Sequence, residues 1–464
     1  MFIGRTNELS FLESKYATAA GELIVLYGRR RVGKTETLRK FCENRANIFF
    51  TCMEITNEQL LHSFSKRILN EMPQAAKYIK SFTDWEQAFT ALGDLANEQK
   101  TVIVIDEFPY MARSNKAIPS IIQKVWDESL HNKNIMLILC GSSMSFMEKE
   151  VLAEKNPLYG RATGILKMQE MSFCESVQFF PNYSMLDKIT AYAILGGIPH
   201  YLKQFDDQLP LATNIKNNIL TKGSILYSEV EFLLRQELRE TNIYNAIIEA
   251  IALGNTKLND IYQKTQLERS KISVYLKNLI DLGIVEREFP VAASIKERAN
   301  SQRGLYKLVD NYFRFWYAFV FPNISELEAG EVNAVFNFLI VPELDRYTSY
   351  VFENICQQYL RVLNRKSKLP FYATSMGRWW DKTTEIAILA TDKEQKNYVL
   401  AECKYRNSLV DVKDLKHLES KSKGADVNNY YYFFSKAGFT QEASAYAAEH
   451  NITLVLADEL FSSN

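Results

Sequence analysis

The run Gly28-Arg29-Arg30-Arg31-Val32-Gly33-Lys34-Thr35 fits the pattern GxxxxGK[ST], and its surroundings constrain the fold more than any other feature of the chain. Before it stands the apolar run 23–27 (Leu-Ile-Val-Leu-Tyr), which reads as a buried parallel strand; after it a helical pattern runs from Lys34 to about Cys42. A phosphate group needs successive backbone N–H groups aimed inward, and Gly28 and Gly33 let the chain wrap that closely. The helix N-terminus adds a favourable dipole for negative charge. Lys34 is placed for the β/γ-phosphates and the Thr35 hydroxyl for Mg²⁺, so Gly28 to Glu36 is the candidate nucleotide-binding segment, with ATP and Mg²⁺ as the expected ligands. The bland alternative is an ordinary glycine-containing turn from strand to helix.

The next strand-like run, 101–105 (Thr-Val-Ile-Val-Ile), ends in Asp106-Glu107. Asp106 is placed to bind the magnesium and Glu107 to polarise an attacking water. Further strands are expected at 47–52 and 135–140, with helices at 57–71, 85–98 and 116–131. Strands alternating with helices imply an α/β fold with a parallel sheet.

At 464 residues the chain has room for about three domains at roughly 150 residues each. Lys plus Arg equals Asp plus Glu at 55 each, so total charge points to no polyanionic partner, although a local basic face is compatible with it. The six cysteines have no CxxC pair, which argues against a disulfide framework or a zinc site and suits a reducing cytosol. No stretch approaches the roughly 20 apolar residues of a membrane span. The nearest, Leu305 to Phe321, is broken by Lys307, Asp310 and Arg314, and its aromatic residues read as core. A cytoplasmic protein with no membrane partner is expected.

Several further motifs resemble the AAA+/STAND ATPases. Phe2-Ile3-Gly4-Arg5 with Glu8-Leu9 is similar to their hGRxxEL box, which implies that Arg5 lies near the adenine. Residues 137–143 resemble the sensor strand, with Ser142 or Ser143 near the γ-phosphate. The segment 157–161 resembles the one that carries an arginine finger; Arg161 could equally hold a loop to a carboxylate. Leu195-Gly196-Gly197-Ile198-Pro199 resembles the GxP element of STAND lids, which implies that Pro199 packs near the base; His200 beside it reads as a packing or hydrogen-bonding residue rather than a sensor. Within this class the chain resembles the archaeal-type ATPases. That implies a P-loop ATPase core (1–171), a helical lid (172–235), a winged helix-turn-helix (236–309), an aromatic-rich connector (310–335) and a C-terminal restriction-endonuclease-like α/β domain (336–464).

Residues 241–283 read as three short helices, and the last, 270–282, would be a recognition helix followed by a β-hairpin wing. Lys271 and Lys277 on the helix and Arg298 and Arg303 beside the wing, near Lys296, are the candidate DNA contacts. Between 255 and 310 there are ten Lys/Arg against seven Asp/Glu, a weakly basic balance that also suits a protein-contact module. The C-terminal region resembles PD-(D/E)xK nucleases: Glu402-Cys403-Lys404 would be the ExK half, Glu353 the outer acid, and Gly377-Arg378-Trp379-Trp380 a family feature. Where that pattern carries its metal-binding aspartate this chain has Ala387, and Glu385 is one strand step of about 6–7 Å away. A degenerate, non-cleaving domain is the expectation. Three functions follow: an ATP-driven switch acting on DNA or a protein partner, an ATP-regulated nuclease, or an assembly or defence-type scaffold with regulatory hydrolysis.

Overall fold

The computed structural model describes residues 2–96, 99–238, 240–293, 297–298, 304–424 and 426–461. The chain divides into two units, the first made of the chain up to Met171 with Ile198–His200 and Asp281–Gly283 and the second of the remainder. In the first unit β1 (Glu22–Tyr27), β2 (Asn47–Thr51), β3 (Thr101–Asp106), β4 (Ile135–Gly141) and β5 (Gly164–Lys167) form one sheet. Their order is β2-β3-β4-β1-β5, and every adjacent pair is parallel. The β1, β3 and β4 strands are buried along their whole length, which is why they read as unbroken apolar runs in the sequence. One face carries Leu23, Val25, Ile103, Ile105, Leu137 and Leu139 against Phe64, Trp85, Phe89, Ile122 and Trp126. Helix Asn57–Leu69 starts at a capping box in which Thr56 and Gln59 satisfy each other's backbone N–H groups.

The second unit holds a mixed sheet of β8 (Ser375–Trp380), β9 (Glu385–Thr391), β10 (Asn397–Lys404), β11 (Asn428–Ser435) and β12 (Ile452–Leu456), in the order β12-β11-β10-β9-β8. The pairs β8–β9 and β9–β10 are antiparallel, while β10–β11 and β11–β12 are parallel. Helix Leu344–Arg365 buries Phe352, Ile355 and Leu360 against one face, and helices Val412–Glu419 and Gln441–Glu449 bury Leu415, Leu418, Ala443 and Ala447 against the other. The same unit contains helices Thr241–Ala252, Leu258–Thr265 and Arg269–Asp281 and an antiparallel hairpin of β6 (Val285–Glu288) and β7 (Leu305–Leu308).

The aromatic stretch after β7 is helical and buried. Trp316 donates its indole N–H to the Tyr227 carbonyl at 2.8 Å, and Tyr312 its hydroxyl to the Leu226 carbonyl at 2.6 Å. No helix among the described residues is long and apolar enough to cross a membrane. The expected helix at 85–98 is shorter, α-helical only over Trp85–Thr90 before a 3₁₀ turn that contains Gly93. The sequence also predicts strands at 384–390, 398–403 and 429–434, which match β9, β10 and β11, but it does not predict β5, β8 and β12. All three are edge strands, where one side lacks a partner, and in β5 and β8 short or polar composition dilutes the apolar signal. Strand β12, Ile-Thr-Leu-Val-Leu at 452–456, does carry a β-branched signal.

Trp316→Ala should remove about 3–5 kcal/mol of stability, because a fully buried indole leaves both a cavity and an unpaired carbonyl. Urea unfolding followed by near-ultraviolet circular dichroism measures this, and a loss under 1 kcal/mol would show that the connector is not part of the core.

Candidate active site

The parallel sheet brings the ends of β1, β3 and β4 side by side, so Gly28, Asp106-Glu107 and Gly141-Ser142 meet at one edge. This is where open parallel sheets bind ligands. A side chain at Gly28 would meet the Met168 carbonyl oxygen at 2.5 Å, and Gly33 has φ +95, so each glycine is needed for a different reason, space at the first and backbone conformation at the second. Lys34 is buried and folded back on the loop, donating to the Gly28 carbonyl at 3.0 Å and the Arg29 carbonyl at 2.9 Å. Burial holds the Lys34 ammonium below the ordinary lysine range, against the pull of nearby Glu107 and Asp106.

Thr35 donates its hydroxyl to Asp106 Oδ2 at 2.8 Å, and the Glu107 backbone N–H donates to Asp106 Oδ1 at 3.0 Å. Cys140, fully buried on the neighbouring strand, also hydrogen-bonds Asp106 through its thiol, which burial and the Asp106 charge keep protonated. Glu107 sits in the left-handed region at φ 52, a costly conformation for a residue with a Cβ. Its carboxylate accepts from the buried Ser142 hydroxyl at 2.9 Å. Ser143 follows at the start of the short helix Met144–Phe146. Sequence reasoning singled out these residues but gave no sign of the Cys140 contact.

The remaining candidates fall elsewhere in the first unit. Arg5 is buried and donates to the Val32 carbonyl at 2.6 Å, the Gln169 carbonyl at 2.8 Å and Glu8 at 2.8 Å. It therefore grips the phosphate loop from behind. Arg161 pairs with Asp127 at 3.0 Å on the surface, which is the loop-holding alternative. Pro199 lies against the loop, its Cγ 3.6 Å from where a Gly33 Cβ would be, and His200 Nε2 is hydrogen-bonded to Arg31. Arg29 pairs with Glu170 at 3.2 Å, and Glu36 is exposed. His200 is thus a hydrogen-bonding residue in direct contact with the loop.

In the second unit Lys271 and Lys277 are exposed on helix Arg269–Asp281, with Lys271 3.6 Å from Glu268, and Arg298 is exposed. Arg303 and Lys296 lie outside the described residues. Three nuclease-like candidates, Glu353, Glu385 and Glu402, lie near one another, but two of them are taken up in ion pairs. Glu385 accepts from Arg378 Nε at 2.7 Å, and Glu402 accepts from Lys404 at 3.1 Å and from Lys421 at 2.7 Å. Burial, with Glu385, Glu402 and Glu288 nearby, pushes the Glu353 carboxyl up to about 7 against the pull of Arg378. Among the described residues no group of three or more His, Cys, Asp or Glu is placed to hold a metal. Lys421 went unnoticed in the sequence, since it follows Glu402 by 19 residues and belongs to no motif.

A carboxyl raised above its ordinary value binds its proton more tightly in the folded chain than in the unfolded one. Its contribution to stability is therefore complete below the usual carboxyl range and is lost as pH rises through about 7. Glu353→Gln, which keeps the neutral form, should raise the denaturation midpoint at pH 8 and leave it nearly unchanged at pH 5. Equal shifts at both pH values would show that Glu353 is not buried as a neutral acid.

Residues 2–205 match the family described as an ATPase domain predominantly from Archaea, and residues 316–418 match a family of archaeal and bacterial proteins of unknown function. An uncharacterized protein of Methanocaldococcus jannaschii is 35% identical over 445 residues, covering 94% of this chain and 95% of that protein. A short ATP-binding protein of the same organism is 55% identical over 53 residues, 11% of this chain and 90% of its own length. Among solved structures, a Walker-type ATPase of Pyrococcus abyssi shares the fold with a TM-score of 0.51 at 21% identity, covering 68% of this chain and 96% of that one. With its phosphate loop, its Asp-Glu strand end and its matching domains, the chain belongs to the archaeal-type family of P-loop ATPases.

Proposed function

We propose that this ATPase is a STAND-type switch that binds Mg-ATP, hydrolyses it slowly, and acts on DNA through the segment 236–309. The observation that carries the switch is that the reactive groups of the site are paired with one another. Lys34 holds loop carbonyls, Thr35 holds Asp106, and Ser142 holds Glu107. Each pair must open for the corresponding group to act.

The Thr35 hydroxyl and the Asp106 carboxylate, 2.8 Å apart, are hard oxygen donors of the kind Mg²⁺ takes. When bound, the ion would neutralise charge on the β- and γ-phosphate oxygens. Lys34 exchanges two carbonyl contacts for the phosphates, and the loop N–H groups complete the cradle. Glu107, freed from Ser142, orients the attacking water and accepts its proton, while the Ser142 hydroxyl becomes available to the γ-phosphate. Arg31 belongs to the loop and holds His200, so phosphate drawing Arg31 inward loosens the Gly196–His200 element. That is how occupancy would be passed on. The alternatives are a metal-dependent nuclease, which the separate ion pairs of the C-terminal carboxylates disfavour, and an assembly or defence-type scaffold, which would lack salt-sensitive DNA binding.

The DNA reading rests on helix Arg269–Asp281. It buries Ile272, Leu276 and Leu279 and leaves Ser270, Lys271, Ser273, Val274 and Lys277 exposed, with hairpin β6–β7 next in the chain. A helix with hydroxyl, ammonium and small apolar groups on its outer face is suited to a major groove.

Lys34→Ala should abolish ATP binding in a calorimetric titration, because the loop then loses the buried ammonium that its carbonyls hold in place for the phosphates. Glu107→Gln should keep the affinity and lose at least about tenfold in hydrolysis. Wild-type affinity in the first or wild-type turnover in the second would exclude these assignments. Replacing Lys271, Lys277, Arg298 and Arg303 together by alanine should weaken duplex DNA binding and reduce its salt slope by about one unit per lost phosphate contact. Unchanged anisotropy titrations would leave a protein-contact module as the better reading.

A further inference from the structure

We infer that the C-terminal domain is a metal-independent module in which Lys421 serves as the resident cation of Glu402, taking the place of a divalent ion. The donor set is the first ground. Both oxygens of Glu402 are occupied, Oε1 by Lys404 at 3.1 Å and Oε2 by Lys421 at 2.7 Å. The side chains of Glu402 and Lys421 are only 13% and 10% exposed, so this pair is poorly screened. A divalent ion at Glu402 would have to enter beside two ammonium groups already in contact with its ligand, and like charges a few ångströms apart repel strongly at low dielectric.

The strand register is the second ground. Strand β9 pairs with β10 as far as Ile388 opposite Ala401, where the ladder ends; Ala387 and Glu402 are the next residues on the two strands. Ala387 is buried in the core, and its methyl offers no lone pair to a cation. Glu385 cannot replace it, because Arg378 holds it at 2.7 Å two residues away on the strand. Lys421 itself is anchored: its backbone N–H donates to the Leu418 carbonyl at 3.1 Å at the end of helix Val412–Glu419. Glu385 and Glu402 are thus each answered by a cation of the chain, and Glu353 beside them is held protonated by burial. This inference concerns the second unit alone and stands whether or not the ATP switch does.

The test uses the full-length chain without nucleotide, carrying Asp106→Asn so that the phosphate loop adds no metal response. Millimolar Mn²⁺ or Mg²⁺ should move its thermal midpoint by less than about 1 °C, and adding Glu402→Gln should not change that insensitivity. Introducing Ala387→Asp with Lys421→Ala should create a Mn²⁺-dependent rise in the midpoint that a further Glu402→Gln abolishes. A Mn²⁺-dependent rise before those two substitutions, removed by Glu402→Gln, would overturn the inference. So would a folded double variant that gains no metal response, because Lys421 and Ala387 would then not be what excludes the ion. Should the double variant fail to fold, the titrations with and without Glu402→Gln decide the matter alone.

Discussion

A loop that turns its N–H groups inward to meet phosphate leaves carbonyls facing outward, and something must hold them. In this protein Arg5 does so. Its guanidinium takes the Val32 carbonyl within the loop and the Gln169 carbonyl just after the end of β5, and Glu8 supplies the counter-charge. One buried side chain from the start of the chain therefore fixes the shape of a loop some thirty residues on. The fan of five N–H donors on arginine makes this possible, and a lysine could not span the same acceptors in one plane. Gly28 completes the clamp from the other side, since the Met168 carbonyl leaves no room for a side chain there.

The catalytic edge obeys a second constraint, the cost of burying charge. Lys34, Asp106 and Ser142 are all buried, and a buried charge or hydroxyl without a partner costs more than its pairing regains. Each group accordingly borrows a partner from the site itself. Pairs of this kind can be exchanged for other partners at little cost, because one set of hydrogen bonds replaces another of similar strength. A strained Glu107, a protonated Cys140 beneath Asp106 and a His200 on Arg31 extend the same arrangement outward from the loop.

The C-terminal sheet meets that cost differently. Glu385 is answered by Arg378 and Glu402 by Lys404 and Lys421, while burial keeps the nearby Glu353 protonated. A domain whose topology brings strand ends together keeps its acids compatible with burial by pairing them within the chain or holding them neutral.

Much of the architecture could be read directly from the sequence. The strands β1, β3 and β4 are apolar runs because both faces are covered, and the phosphate loop follows from residue types at fixed spacing. The separate helices and hairpin of the middle segment, and the buried character of the aromatic connector, were also readable from local pattern. Edge strands β5 and β8 were not, since half-exposed short strands carry little periodicity. Which partner a charged side chain takes was beyond reach altogether. Arg5 reaches Gln169 over 164 positions, Arg161 turned to Asp127 over 34, and Arg31 met His200 over 169. Local periodicity reports only which face of an element is buried. Long-range ion pairs depend on which elements the sheet order makes neighbours, and only the tertiary structure decided that.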